Sequence, residues 1–485
     1  MPMTRASAQY FDQVADQWDE VRAGYFTEAL RDAAISRAYL RPEMVVADVG
    51  AGTGYVAAGL APLVAKVHVL DGSAAMLEVA RRNLSRFPHV EYHHADGQSL
   101  PLPDGSVDAA FANMYLHHCA DPSAAIREAV RILKPGGRLV ITDMDVHTNT
   151  WFKDEMADEW LGFERDQVRA WLTAADLVNV SVGSSGQCCS GGSQDAQPAE
   201  KDGRAARISV FLATGTKRIA MRSAVQQVYA AAARGGCGCG TQPPAEGQAS
   251  SVQQSSCCGG EEPQVAEEDI GFAVAYTPDE RASVPAEAES ISLGCGNPIA
   301  LANLRPGEVV LDIGSGGGMD AFLAAQRVGA LGKVIGVDMT PAMLERATRA
   351  AHAAGIENVE FRQGQAEQLL VPDGTVDVIL SNCVINLTED KGLVFREAYR
   401  ALKPGGRLEV SDVVTGGPLP LTARLNAGEW AGCVSGALPE GEYLDMVAQA
   451  GFGDVAVRRS ATAGELNGVP VYSVIVSARK GRGAA

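Results

Sequence analysis

A chain of 485 residues exceeds what a single hydrophobic core usually supports and should divide at least once. With 46% hydrophobic and 21% charged residues it has a globular composition, and no apolar run is long enough to cross a bilayer, so no membrane partner is expected. A formal net charge of −18, from 41 Lys and Arg against 59 Asp and Glu, opposes attraction to nucleic acid phosphates and excludes that partner class.

The segment Met1 to Asp12 lacks the basic start, apolar stretch and cleavage site of a secretory signal, so the expected location is the cytoplasm. There, ten cysteines fit reduced thiols for soft-metal chemistry better than a disulfide scaffold, which belongs to short secreted chains. An aromatic opening, Tyr10-Phe11-Asp12 and Trp18-Asp19, precedes an apolar strand ending at Asp48. A turn with Gly50, Gly52 and Gly54 follows; the next strand ends at Asp71, and a polar corner, Ala95-Asp96-Gly97, comes after the third. The segment Tyr115-Leu116-His117-His118-Cys119 follows the fourth strand, and either histidine is a candidate base or a packing residue. Strand-like Val178-Asn179-Val180-Ser181-Val182 and Ile208-Ser209-Val210-Phe211-Leu212 flank a polar stretch, Ser184 to Gly203, that carries the vicinal pair Cys188-Cys189.

Residues 217–264 read as a connecting segment that opens with a helix. From Arg234 to Gly260 it is rich in Gly, Ser, Gln, Pro and Cys and has no periodicity, as a flexible linker would. Its four thiols, Cys237, Cys239, Cys257 and Cys258, could make a zinc site, although adjacent cysteines close a tetrahedron poorly.

Residues 265–485 then repeat residues 1–216. Val46-Ala47-Asp48-Val49-Gly50 returns as Val310-Leu311-Asp312-Ile313-Gly314, Pro103-Asp104-Gly105 as Pro372-Asp373-Gly374, and Leu133-Lys134-Pro135-Gly136-Gly137 as Leu402-Lys403-Pro404-Gly405-Gly406. The second copy predicts strands at 309–313, 334–337, 359–363 and 376–381, with helices from about Met319 and over Pro341–Ala353. Strands alternating with helices predict an α/β fold in each copy, a doubly wound, mostly parallel Rossmann-like sheet.

In such a sheet, ligands bind beyond the carboxyl ends of the strands, where glycines let a ligand approach the backbone. Asp71 and Asp338 end the second strands, where a carboxylate can accept hydrogen bonds from two ribose hydroxyls. The corners at Asp96 and at Gly364-Gln365-Ala366-Glu367 are placed to meet a base. A nicotinamide dinucleotide would also suit a glycine-rich turn. The glycine spacing and the Leu-Lys-Pro-Gly-Gly-Arg-Leu segments favour another reading, because together they resemble the class I S-adenosylmethionine-dependent methyltransferases over nearly all of both copies. That resemblance implies S-adenosylmethionine as cofactor. Its binding residues would be Asp312, Gly314, Ser315, Gly316, Asp338, Met339, Ala366, Glu367 and Asn382 in copy two, with Asp48, Gly50, Gly52, Gly54, Asp71 and Asp96 in copy one.

Copy two also carries Leu293-Gly294-Cys295-Gly296-Asn297-Pro298, Ser381-Asn382-Cys383-Val384-Ile385-Asn386 and Trp430-Ala431-Gly432-Cys433-Val434. Any one of these cysteines alone reads as a small buried hydrophobe. The three segments, with Gly336-Val337-Asp338-Met339-Thr340-Pro341, resemble the arsenite methyltransferase family. The resemblance implies that Cys295, Cys383 and Cys433 hold trivalent arsenic for methylation, in arsenic detoxification. Soft thiolates suit a soft metalloid. It also implies arsenite or its glutathione conjugate as substrate, thioredoxin or glutathione as thiol reductant, and an upstream cysteine in the redox relay, for which Cys257 and Cys258 are the candidates. In copy one Cys383 falls on Met114 and Cys433 on Phe163, so that copy cannot hold arsenic in this manner. It would methylate a small organic acceptor, take arsenic through the Cys188-Cys189 pair, or serve structurally. Sequestration of arsenic without turnover is the non-enzymatic alternative.

Overall fold

The structure, a computed structural model, describes residues 5–190, 207–234, 276–290 and 294–482. It divides into two compact units, Met1–Ile219 and Ala220–Ala485. The helix Arg222–Ala233, which the sequence places in the connecting segment, therefore belongs to the second unit. No helix among the described residues is long and apolar enough to cross a membrane.

In the first unit the strands are β1 (Val45–Val49), β2 (Lys66–Asp71), β3 (Val90–His94), β4 (Val107–Asn113), β5 (Leu133–Met144), β6 (Leu177–Ser190) and β7 (Arg207–Lys217). They form one sheet in the order β3-β2-β1-β4-β5-β7-β6, parallel except where β7 joins β5 and β6. The second unit repeats this with β8 (Val309–Ile313), β9 (Lys333–Asp338), β10 (Val359–Gln363), β11 (Val376–Asn382), β12 (Leu402–Thr415), β13 (Phe452–Leu466) and β14 (Val469–Lys480), in the order β10-β9-β8-β11-β12-β14-β13. The predicted elements of copy two stand within a residue or two of their expected bounds. The central strands read as unbroken apolar runs because helices cover both faces of the sheet. In the second unit, Leu311, Ile379, Phe395 and Tyr443 fill one core layer and Val310, Phe322, Leu323 and Val378 the other. Each such fully buried side chain contributes about 1.5–3 kcal/mol.

Helix entries follow their caps: Asp121 and Asp390 each accept the backbone N–H three residues on. The Lys-Pro-Gly-Gly segments loop out of β5 and β12, so that Val376 pairs with Leu402 but Val378 already with Arg407. Asn467-Gly468, both with positive φ, makes the tight turn of the β13–β14 hairpin.

One expectation fails here. Cys188 and Cys189 do not lie in a polar insertion but in β6, paired with Ser209 and Ile208. Neighbouring residues of a strand point to opposite faces, and only Cys189 is buried, so the pair does not present two sulfurs to one arsenic atom.

Candidate functional site

Beyond the carboxyl ends of β8, β9 and β11 lies an open cleft of about 1010 Å³, lined by Gly314–Gly317, Asp338–Thr340, Gly364–Glu367, Asn382 and Cys383 among others. The β8 turn must be glycine at 314: its φ is +72°, and a Cβ there would overlap Val384. Asp338 is held by two backbone amides, Gly316 N–H to Oδ2 at 3.0 Å and Thr340 N–H to Oδ1 at 2.8 Å. The Thr340 side chain also hydrogen-bonds this carboxylate, yet burial raises its pKa. Asp312, expected at the cofactor, instead lies beneath the turn, wholly buried and accepting the Ala321 N–H. Burial first, then the carboxylates of Asp320 and Asp338, push its pKa well above the usual range.

The three cysteines of copy two come together from three separate segments. Cys295, Cys383 and Cys433 are 3%, 5% and 4% exposed. Ligand atoms of Cys295, Cys383 and Asp412 lie within 4.8 Å of one another, and the Cys433 thiol donates to the Cys383 carbonyl at 2.8 Å. Cys383 lines the cleft itself. Its pKa is driven well above the ordinary thiol value, first by hydrogen bonds with the Cys295 and Cys433 thiols and then by burial. These surroundings favour the protonated form of Cys383, whose proton must leave when arsenic is bound.

Backbone strain marks the same place. Cys383 and Cys433 have φ of +60° and +65°, a region that costs a residue with a Cβ about 1–2 kcal/mol. Met114, the counterpart of Cys383 in the first unit, shares that conformation with φ +49°. The turn is a property of the repeated fold, and only its side chain distinguishes the copies.

Asn382 was expected to touch the cofactor, yet its amide is committed to the protein. Its Oδ1 accepts the Cys295 N–H at 3.0 Å, while Nδ2 lies 2.8 Å from the Gly296 carbonyl, 2.9 Å from Tyr276 Oη and 3.1 Å from Asp320 Oδ2. Tyr276 donates to Asp320 at 2.6 Å, and burial raises Asp320 to a pKa of about 6. The Cys295 loop is thus strapped to β11. A Cβ on Gly296 would collide with Ser411, so a glycine there allows the close approach.

Sequence reasoning missed the helix Arg222–Ala233 as part of this site. Met221 and Arg222 N–H groups both bond Glu389 Oε1, at 3.0 and 3.1 Å, and the Arg222 guanidinium pairs with Glu367 at 3.0 Å. Gln226 donates to the Met339 carbonyl at 3.0 Å, and Tyr229 donates to the Ala431 carbonyl at 3.2 Å. Arg222, Val225 and Tyr229 line the cleft. Burial, with Cys433 and Cys383 close by, raises the Tyr229 pKa far above its ordinary value. The apolar and aromatic positions at 225 and 229, four apart, were the available signal. Asp412, buried beside the sulfurs with its pKa pushed to about 7 by burial, was also missed.

The first unit has a smaller cleft of about 590 Å³, lined by Phe11, Trp18, Asp48, Gly50–Thr53, Asp71, Met114, Tyr115 and His118 among others. Gly52 N–H and Ser73 N–H both bond Asp71, at 2.8 Å each, as their counterparts do Asp338. Asp48 accepts the Ala57 N–H at 2.9 Å, Gly54 opens the following helix with φ +84°, and Asp96 lies in a neighbouring small pocket with Gly50 and Asp71. The expected relay candidates Cys257 and Cys258 lie outside the described residues, as do Cys237 and Cys239.

Residues 47–141 and residues 304–451 each match a family model described as a methyltransferase domain. The arsenite methyltransferase of Halobacterium salinarum is 46% identical over 201 residues, 41% of this chain and 50% of that protein. That of Aquipseudomonas alcaligenes is 37% identical over 46% of this chain and 66% of its own length. A solved arsenic(III) S-adenosylmethionine methyltransferase from Chlamydomonas reinhardtii is 37% identical, covering 44% of this chain and 76% of its own, with a TM-score of 0.39. The chain spans about half the length of the first of these relatives and about two thirds of the second.

Proposed function

We propose that this chain, two class I methyltransferase domains in tandem, uses the second to methylate trivalent arsenic with S-adenosylmethionine as donor, in arsenic detoxification. One observation carries the proposal: three cysteines from distant segments gather their sulfurs at the wall of a cleft whose turn, acidic strand end and polar corner suit a nucleoside. The residues fit that donor. Asp338 lines the cleft at the strand end, where ribose hydroxyls would donate to its carboxylate, and Met339, Ala366 and Glu367 border the space for a base. When bound, S-adenosylmethionine supplies an electrophilic sulfonium methyl.

Cys295, Cys383 and Cys433 would take arsenite by exchange. Each thiol proton leaves with one arsenite hydroxyl as water, so three As–S bonds form without net proton release, and the raised pKa of Cys383 is no obstacle. A glutathione conjugate would be taken up by thiol exchange. Three sulfur ligands leave the arsenic lone pair free to form the As–C bond as the donor's S–CH3 bond would break and its sulfur leave as a neutral thioether, while the buried walls exclude water and fix the alignment. That bond formally raises arsenic to the pentavalent state, and a further round needs two electrons, which thioredoxin or glutathione would supply, with Cys257 or Cys258 as relay candidates.

The first domain retains the glycine turn and Asp71 but carries Met114 where the thiol would stand. This favours methylation of a small organic acceptor there. To test the main proposal, purified protein is incubated with arsenite, reductant and labelled donor. Label transferred to arsenic in the native protein, and lost in Cys383→Ser with donor binding intact, is the expected result. Unchanged turnover in that variant rejects the thiol mechanism, and stoichiometric arsenite binding without label transfer indicates sequestration.

A further inference from the structure

The first domain holds a buried cluster that its cleft leaves unexplained. His117 and His118 follow β4 on one tight turn, with ring centroids 4.0 Å apart, and Asp158 approaches both. The distances are 3.8 Å from His117 Nε2 to Asp158 Oδ1 and 3.7 Å from His118 Nδ1 to the same oxygen. Asp158 is 4% exposed, yet neither carboxylate oxygen accepts a hydrogen bond among the described residues. Buried carboxylates left in that state are rare, because desolvation of the charge is costly. The backbone has been bent to put it there: the preceding Ala157 has φ +57°, and its carbonyl accepts a hydrogen bond from Ser7 at 3.0 Å.

We propose that His117, His118 and Asp158 form a binding site for one divalent cation of the zinc class at the end of the first domain's cleft. Two imidazoles and one carboxylate suit zinc, cobalt(II) or iron(II), whereas magnesium and calcium prefer oxygen ligands throughout. Tetrahedral coordination at about 2.0–2.2 Å sets ligand atoms roughly 3.3–3.6 Å apart; the two spacings to Asp158 need contract by only a few tenths of an ångström, and the ligand atoms of all three residues already lie within 4.8 Å of one another. The surroundings of His117 are those of a metal ligand. Its Nδ1 is fixed by Asp143 Oδ1 at 2.7 Å, which leaves Nε2, the nitrogen toward Asp158, to carry the bond. The Nδ1 of His118 also lies 3.3 Å from the Ala157 carbonyl, a long contact that a small ring rotation exchanges for the ion. His118 lines the cleft with Met114 and Tyr115, so a position left open on the cation would face the cleft and take an anionic oxygen or sulfur ligand.

The site is tested without arsenite or methyl donor, so its outcome is independent of the second domain's chemistry. Full-length protein freed of metal by a chelator is titrated with cobalt(II), and zinc content is measured in parallel. The expected result is that the native protein binds one equivalent more than either Asp158→Asn or His118→Gln, and that the native-minus-variant difference spectrum shows ligand-field bands without a sulfur-to-cobalt band, since cobalt held by the cysteines is common to all three. Asp143→Asn should retain the site with affinity weakened about 10–100-fold. Far-UV circular dichroism and the metal-free melting temperature of each variant, measured alongside, separate loss of the site from loss of the fold. Equal cobalt stoichiometry and spectra in native protein and Asp158→Asn would overturn the proposal and leave Asp158 as a counter-ion to the histidine pair.

Discussion

Asn382→Ala isolates what holds the arsenic site together without removing a sulfur. The substitution deletes four polar contacts, to Cys295 N–H, the Gly296 carbonyl, Tyr276 and Asp320, at 2.8–3.1 Å. Only the bonds to the Cys295 N–H and the Gly296 carbonyl hold the loop carrying Cys295, and at about 1 kcal/mol net for each, with part recovered as water enters, that loop should lose about 1–2 kcal/mol of ordering. If ordering that loop is a precondition for three-sulfur capture, arsenite affinity should fall ~5- to ~30-fold, at about 1.4 kcal/mol per factor of ten. Equilibrium dialysis with arsenite reads this directly. Donor affinity, measured separately by calorimetry, should change much less, because the amide is already occupied within the protein. Arsenite binding within threefold of the native protein would refute the view that Asn382 fixes the Cys295 loop.

Three further outcomes are expected. Glu389→Ala removes the acceptor of two N–H groups at the start of the helix Arg222–Ala233, a loss of about 1.5–3 kcal/mol, and hydrogen exchange over residues 222–233 should quicken at least tenfold. Glu409 has its pKa raised to about 7, chiefly by burial, from an ordinary 4.5, so the fold favours its protonated form. That contribution is complete below pH 4.5 and disappears as pH climbs through 7, and the melting temperature should fall across that window less steeply in Glu409→Gln than in the native protein. Cys188→Ser should leave the number of arsenite molecules bound per chain unchanged, because Cys188 and Cys189 face opposite sides of β6; a drop by one equivalent would restore the vicinal-pair idea.

The sequence by itself determined the duplication, the α/β class and the bounds of the first four strands of the second copy, because periodicity and glycine turns are local signals read within a few residues. It also singled out the three cysteines, since each sits in a distinctive short segment. Tertiary structure alone decided what those residues do to one another. That Asn382 straps a loop rather than meeting the cleft with a free amide follows from contacts made across 62 to 106 residues of chain. The state of the Cys383 thiol depends on two neighbouring sulfurs and on burial, neither of which spacing reveals. The helix Arg222–Ala233 looked like the start of a linker because its own sequence is weakly patterned; what makes it part of the site is the Glu389 carboxylate, 167 residues away, that receives its first amides. Local propensity fixes elements, whereas charge state and closure are set by whatever the fold packs alongside.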